Sequence, residues 1–228
     1  PTVPRLLSTV QSYRISNMKN KGKKILALSL LILFSSFINA ADKGSGTGCD
    51  PIQIRQQGYI KAVQLSSKLI AYLDRKAQAK VVLLARAGSN SPSERFQKKI
   101  SSYWNYTHAG LAYKNHPSGE WTVVHMLNDC GEKSSIYAES LMKFFLDDPF
   151  EYRTVVAIPS AAIQDSLETL IIERNMATAL FNNSRYSSVS NPFNTQRQNS
   201  NEYILDTLTA AIALENGTNN IFTREQAK

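Results

Sequence analysis

The stretch that decides the fold is YTHAGLAY at residues 106–113, followed after a short turn by WTVVHMLN at residues 121–128. Both segments are rich in β-branched and aromatic residues, and a Pro-Ser-Gly turn separates them, so the pattern predicts an antiparallel hairpin. His108 and His125 lie on its two strands. If both side chains project from one face, His125 can orient the ring of His108 while His108 acts as a base. Two histidines with purely structural hydrogen bonds are the alternative interpretation.

Apolar residues at helical or alternating spacing predict the other elements. We expect helices at residues 53–78, 135–146, 163–181 and 201–214, a buried strand at 81–85 and another at 152–158. No internal repeat or linker divides the chain, and its length suffices for one full hydrophobic core. The sequence therefore predicts a single α+β domain at residues 41–228, built from an antiparallel sheet of about four to six strands with packed helices.

Residues 18–40 have the pattern of a secretory signal peptide. Met18 is followed by four lysines and then by an apolar run at residues 25–37. That run has 13 residues, whereas a helix needs roughly 20 to span a bilayer. We therefore expect cleavage, a secreted or periplasmic protein and no stable membrane span; an uncleaved anchor is the alternative. Residues 1–17 are then an upstream or non-native extension, and the chain is expected to continue beyond residue 228.

The net charge of +8 is concentrated in the leader. Residues 1–40 hold six of the 26 basic residues and no acidic one, which leaves 20 basic against 18 acidic residues in the remainder. A nearly neutral domain gives no electrostatic basis for binding nucleic acid. The sequence also lacks an HExxH motif and a cysteine pair at zinc-ligand spacing, so we expect no metal and no cofactor.

A polar turn, QNSNEYILD at residues 198–206, opens the last predicted helix. Ser200 lies at the helix start, where free N–H groups and the helix dipole stabilise an anion. A cysteine there would gain reactivity as a thiolate, whereas a serine hydroxyl stays protonated and gains less. The side chain of Gln198 or the N–H of Ser200 could donate to an oxyanion. Asn128 is a second candidate for orienting His108, and an ordinary capping role is the alternative for Ser200.

Five segments together resemble an uncharacterised secreted bacterial family that is similar to the circularly permuted NlpC-type branch of the papain-like superfamily of cell-wall peptidases and amidases. They are ARAG at 85–88, THAGLA at 107–112, WTVVHMLNDCG at 121–131, FFLDD at 144–148, and NPF to QNSNE at 191–202. The resemblance covers residues 49–228. Permuted members place the histidine strands before the nucleophile helix, which is the order found in this sequence.

The resemblance implies a papain-like antiparallel sheet, with His108 as the base and His125 as its orienting residue. Ser200 falls where the family carries its nucleophilic cysteine. The implied function is a secreted or periplasmic hydrolase, an amidase or peptidase, that acts on peptide amide bonds of peptidoglycan fragments. Because serine replaces cysteine, the sequence leaves open whether this chain is an active enzyme.

Other matched positions carry less specific expectations. Arg86 and Tyr186 match recurring polar positions near the cleft. Cys49 and Cys130 also match, which strengthens the disulfide that an oxidising compartment would allow between them; two free thiols are the alternative. Two other functions stay open: a non-catalytic peptide or glycan-binding protein on the same fold, and a lipid acyl hydrolase or acyltransferase.

Overall fold

The fold is seen in a computed structural model, which describes residues 7–14, 54–88, 106–130, 132–147, 149–179, 185–218, 224 and 226–227. The predicted signal peptide at residues 18–40 lies outside the described residues, as do Cys49 and the side chain of Cys130. The signal peptide and the disulfide therefore stay predictions.

Six strands form one antiparallel sheet in the order β1-β6-β2-β3-β4-β5. They are β1 Leu7–Arg14, β2 Val81–Gly88, β3 His108–His116, β4 Gly119–Cys130, β5 Lys133–Glu139 and β6 Pro149–Pro159. The predicted hairpin is β3–β4, in which Leu111 lies opposite Val124. The body of the sheet is β2 to β6, and β1 pairs with β6 at its edge. These strands and their packed helices confirm the α+β class.

Helices cover both faces of this sheet. They are α1 Gln56–Asp74, α2 Leu141–Leu146, α3 Ala161–Glu168 with a π-helical turn at Thr169–Glu173, α4 Met176–Ala179 and α5 Ser200–Glu215. In the described part of the chain, no helix has the length and apolar character needed to cross a membrane.

Side chains of successive strand residues point to opposite faces, which divides the core into two layers. On the front face, α1 and α2 pack against one set of strand residues: Val82, Leu84, Ala112, Val123 and Val156. On the back face, α3, α4 and α5 pack against the alternate set: Val81, Leu111, Tyr113, Val124 and Met126. The face to which a strand residue points therefore decides which helices it can meet.

The prediction of one helix at residues 135–146 is wrong. Residues Lys133–Glu139 form strand β5, which pairs with β4 and places Ile136 on the back face. Only Leu141–Leu146 is helical, and the side chain of Ser140 caps it by accepting a hydrogen bond from the backbone N–H of Lys143. Pairing with a long neighbouring strand outweighs the local spacing of apolar residues, which fits a helix as well.

Strand β1 falls within residues 1–17, which the sequence analysis placed outside the domain. Its backbone pairs along β6, with Val10 opposite Ala157 and Tyr13 opposite Thr154. The edge of the sheet in this structure is therefore formed by a segment for which the sequence analysis assigned no strand.

Candidate functional site

His108 and His125 lie on adjacent strands and point to the same face of the sheet. Gly110 and Ala112 follow His108 at two-residue steps on β3, and Ala112 belongs to the front-face core. His125 follows the front-face residue Val123 on β4 in the same way. The two rings therefore meet beneath α2, and we call them the histidine pair.

A hydrogen-bonded line runs through the histidine pair to a carboxylate. Nε2 of His108 lies 2.8 Å from Nδ1 of His125, and Nε2 of His125 lies 3.2 Å from Oε2 of Glu139 on β5. Both histidines are buried, with 2% and 0% of their surface exposed, whereas Glu139 is only partly buried. Each ring is held through a nitrogen atom, so its orientation is fixed.

Phe144 of α2 and Gly110 complete the packing around the pair. The Phe144 ring centroid lies 5.8 Å from that of His108 and 5.2 Å from that of His125. A Cβ atom on Gly110 would lie 2.6 Å from Cγ1 of Val123 and 3.2 Å from Cβ of His125. Gly110 therefore makes room for the neighbouring side chains of β4 and α2.

Two cations and a second carboxylate lie beside the line. Arg86 on β2 is directly opposite His108 in register, and its guanidinium carbon stands 5.1 Å from the Phe144 ring centroid. Nη2 of Arg86 lies 3.8 Å from Oδ2 of Asp147, and Nζ of Lys143 donates to Oδ1 of Asp147 at 3.4 Å. With Glu139, the site contains two carboxylates and two cations, which balances its charge without an added ion.

The surroundings keep both histidines neutral. Burial lowers the pKa of His108 well below its usual value, and the charges of Arg86 and His125 act in the same direction. Burial also lowers the pKa of His125, although the hydrogen bond and charge of Glu139 oppose the shift. Burial would raise the pKa of Glu139, but its hydrogen bond with His125 and the nearby cations outweigh burial, so the pKa is lowered. A carboxylate thus faces two neutral imidazoles.

Three of these groups could in principle offer ligand atoms to a metal ion. A ring nitrogen of His125 and oxygens of Glu139 and Asp147 lie within 4.8 Å of one another. Arg86 and Lys143 both pair with Asp147, so a divalent cation bound there would lie beside two positive charges. The charge of the donor set therefore fits a metal poorly.

Ser200 is the first residue of α5. Asn199 caps the helix, because its side-chain oxygen accepts hydrogen bonds from the backbone N–H groups of Asn201 and Glu202. In return, the side-chain carboxylate of Glu202 accepts a hydrogen bond from the backbone N–H of Asn199. The capping role that the sequence left open for Ser200 therefore belongs to its neighbour. Ser200 itself is buried, with 5% of its surface exposed.

The structure does not bring Ser200 into contact with the histidine pair. Helix α5 packs on the back face of β3 and β4, whereas both rings lie on the front face. One link between the two faces is Asn201, whose Nδ2 lies 3.5 Å from the carbonyl oxygen of Thr107, the residue before His108. The start of α5 thus reaches the beginning of β3 from the other side of the sheet, and a Ser200–His108 pair stays a prediction.

Gln198, proposed from sequence as an oxyanion donor, is engaged in a buried polar network instead. Its Nε2 donates to Oδ2 of Asp206 at 2.7 Å. Arg224 donates from Nε to the same oxygen at 2.7 Å and from Nη2 to Oε2 of Glu202 at 3.1 Å. This network ties the C-terminal segment and the preceding loop to the first two turns of α5, close to Ser200.

Asn128 and Tyr186 also lie away from the histidine pair. Asn128 lies two residues after Met126 on β4 and pairs with Ser134. Because Met126 belongs to the back-face core, Asn128 also points to the back face and cannot hold the ring of His108. Tyr186 packs in the back-face core and bridges to Gln198. Among the predicted binding residues, Arg86 is the one that the structure places beside the pair.

Glu139 and Asp147 were missed by sequence reasoning. Glu139 fell inside the wrongly predicted helix, where its register with β4 could not be seen. As part of a strand, it lies two residues after Tyr137, which pairs with His125. Asp147 follows α2 directly, and its burial depends on the packing of that helix. A strand assignment for residues 133–139 would have revealed Glu139.

Comparison with known proteins places this chain among bacterial relatives. The chain belongs to a family of uncharacterised proteins conserved in bacteria (DUF2145), whose family model matches residues 72–228. No curated protein and no solved structure matches the chain. The matched span contains Arg86, the histidine pair, Glu139 and Ser200, but family membership assigns none of them a reaction.

Proposed function

We propose that this protein carries the active site of a hydrolase for amide bonds of peptides in the bacterial cell envelope, with His108 as its general base and with activity reduced or lost because serine occupies the nucleophile position. The observation that carries the proposal is the hydrogen-bonded line from Glu139 through His125 to His108. A general base must be unprotonated and held in one orientation. The lowered pKa of His108 meets the first requirement, and the contact with His125 meets the second.

A papain-like arrangement around this base is the finer part of the proposal. Its support is the order of elements, in which two neighbouring histidine strands precede helix α5. The start of α5 also lies against Thr107, next to the base. A helix start supplies free N–H groups that stabilise a thiolate or an oxyanion, which suits a nucleophile at position 200.

Ser200 is proposed as the nucleophile position, in a chain with little or no activity of its own. Its hydroxyl must lose a proton to attack a carbonyl, and that requires a base within hydrogen-bond reach. The histidine pair lies on the opposite face of the sheet from α5. Ser200 and His108 could meet only around the end of β3, by a rearrangement of the side chains there.

The cell-envelope location and the peptidoglycan substrate are the least direct parts of the proposal. The location is supported by the lysine-rich segment, short apolar run and small residues of the leader. The substrate is supported by the likeness of the motif order to cell-wall peptidases and amidases.

The test compares the parent chain with a Ser200→Cys variant on labelled muropeptides and labelled lipid esters. We expect Ser200→Cys to cleave muropeptide amides faster than the parent. Adding His108→Gln should lower that rate by about 10²–10⁴-fold, the usual contribution of a general base. Cleavage of lipid esters alone would instead support an acyl hydrolase or acyltransferase.

A thiol-directed probe checks the site without a substrate. Ser188→Cys is the matched control, because Ser188 is an exposed serine in the loop before α5. The parent chain gives the background from Cys49 and Cys130. Faster labelling of position 200 than of position 188 would support an activated site. Equal labelling, together with no cleavage by any variant, would contradict the catalytic proposal.

A second candidate is a binding protein that retains peptides or glycans without cleaving them. The separation of Ser200 from the histidine pair by the thickness of the sheet favours it. Calorimetric titration with unlabelled muropeptides distinguishes the two proposals. Saturable binding that survives Ser200→Cys, with no turnover by either form, would support the second candidate.

A further inference from the structure

We infer that Glu139 is a positioning residue that fixes the tautomers of both histidines and leaves Nδ1 of His108 as the atom that accepts a proton. The catalytic consequence rests on the proposed function, whereas the tautomer assignment rests only on the contacts of the site. No motif in the sequence singled out Glu139 for this role.

The direction of the hydrogen bonds follows from the carboxylate. An ionised carboxylate has no proton to donate, so Glu139 must accept from Nε2–H of His125 at 3.2 Å. A neutral imidazole carries one N–H, and Nδ1 of His125 therefore holds a lone pair. Across the 2.8 Å contact, Nε2 of His108 must then donate to that lone pair. The remaining nitrogen of His108, Nδ1, is left unprotonated.

The reverse direction would place two acceptors face to face. If Nδ1 of His125 carried the proton, its Nε2 lone pair would point at a Glu139 oxygen from 3.2 Å. Unlike an amide or a hydroxyl, an ionised carboxylate cannot turn to present a donor. The carboxylate thus imposes one direction on both hydrogen bonds, although it touches only one of the rings.

The charges that surround the line support the same state. Arg86 on β2 and Lys143 on α2 favour an ionised Glu139 and a neutral pair, and Asp147 is held between these two cations. Tyr137, opposite His125 on β5, donates a hydrogen bond from its hydroxyl to Asp129, so this hydroxyl does not compete for a ring nitrogen.

This assignment specifies the proton-transfer step. A nucleophile with an O–H or S–H bond gives its proton to Nδ1 of His108. The electron pair of that bond stays on oxygen or sulfur and forms the new bond to the carbonyl carbon, while the π electrons of the C=O bond move onto the carbonyl oxygen. The imidazolium formed on His108 then donates from Nε2 to His125, which still donates to Glu139. The negative charge of Glu139 stabilises the new positive charge through the intervening ring.

Nitrogen-15 spectra of the full chain test the assignment directly, because long-range proton–nitrogen correlations distinguish protonated from unprotonated ring nitrogens. The chain has only three histidines. His116 serves as an internal reference, since its Nδ1 accepts from the N–H of Ser118 at 3.0 Å. At neutral pH we expect the proton on Nε2 in both His108 and His125. A proton on Nδ1 of either ring would overturn the inference.

Glu139→Gln tests whether the carboxylate imposes the direction. A glutamine amide can donate as well as accept, so we expect a mixture of tautomers in both rings. Glu120→Gln, at an exposed glutamate on β4, is the matched control and should leave the spectrum unchanged. A single Nε2–H tautomer that persists in Glu139→Gln would overturn the role of Glu139, and the His116 signals report whether the variant is folded.

The outcomes separate this inference from the proposed hydrolase. The expected tautomers, with no amide cleavage by any variant, would leave the inference standing and remove the proposed function. Nδ1–H tautomers would remove the inference whether or not an amide is cleaved.

Discussion

Replacing Gly110 by alanine would insert a methyl group where the histidine pair is packed most tightly. The new Cβ would stand 2.6 Å from Cγ1 of Val123, and 3.2 Å from both Cβ of His125 and Cε2 of Phe144. Carbon atoms in contact are normally about 3.5–4.0 Å apart. Val123 is fully buried and β-branched, so its side chain has few rotamers with which to move away.

The expected cost follows from this overlap. Extra atoms forced into a packed core destabilise a protein by about 1–3 kcal/mol. In a domain of this size each kcal/mol lowers Tm by about 2–4 °C, so Gly110→Ala should melt about 2–12 °C below the parent. The displaced Cβ of His125 should also lengthen its contacts with His108 and Glu139, which the ring nitrogen spectra would reveal.

A double-mutant cycle shows whether the overlap with Val123 is the cause. Val123→Ala removes the methyl group that clashes, so it should restore part of the stability lost in Gly110→Ala, with a coupling of about 0.5–3 kcal/mol by urea denaturation. Val124→Ala is the matched control, because Val124 lies on the back face and should be additive. An unchanged Tm in Gly110→Ala, or equal coupling in the two cycles, would refute the reasoning.

Two further predictions concern buried charges. Burial raises the pKa of Asp147 to about 6, so this carboxyl binds a proton more tightly in the folded than in the unfolded state. The stability that it contributes is present in acid and is lost as the pH rises through that value. The histidine pair, whose pKa values are lowered, changes stability with pH in the opposite direction. In urea titrations, the free energy of unfolding of Asp147→Asn should therefore fall more steeply than that of the parent as the pH falls from 6.5 to 4. Asp74→Asn, at an exposed position, is the control and should follow the parent. Arg224→Met leaves two buried carboxylates of α5 uncompensated and should cost about 3–5 kcal/mol in the free energy of unfolding. Arg197→Ala, which breaks an exposed ion pair, should cost at most about 1 kcal/mol, and equal losses would contradict this account.

The elements nearest the site were largely predictable from the sequence. The helix expected at 201–214 is found at Ser200–Glu215, and the strand expected at 81–85 begins β2. The β3–β4 hairpin follows from its turn residues, and the contact between His108 and His125 follows from placing both on one face. In each case a single local signal, an apolar period or a turn, agrees with the tertiary structure.

The failures occur where one local pattern fits two structures. The apolar residues Ile136, Leu141 and Phe144 match a helical period, yet Ile136 belongs to a strand and the other two to α2. Ser140 between them was the available signal, since serine often caps a helix. Because side chains alternate along β3, Ala109 and Leu111 point to the other face of the sheet from His108. This alternation does not reveal on which face α5 packs. That choice depends on how α1, α2 and α5 share the two faces of the sheet.

The burial of so many polar groups is itself an argument about function. Arg86, the histidine pair and Asp147 are buried beside the aliphatic and aromatic side chains of the front-face core. Replacing a buried ion pair with well-packed apolar residues is often neutral or stabilising, so such a network is poorly explained by stability alone.

In the Ser200→Cys variant, the start of helix α5 would by itself raise the reactivity of the thiol. That reactivity should survive His108→Gln if α5 and the histidine pair lie on opposite faces of the sheet. Labelling that requires His108 would mean that the side chain of residue 200 reaches His108 around the end of β3.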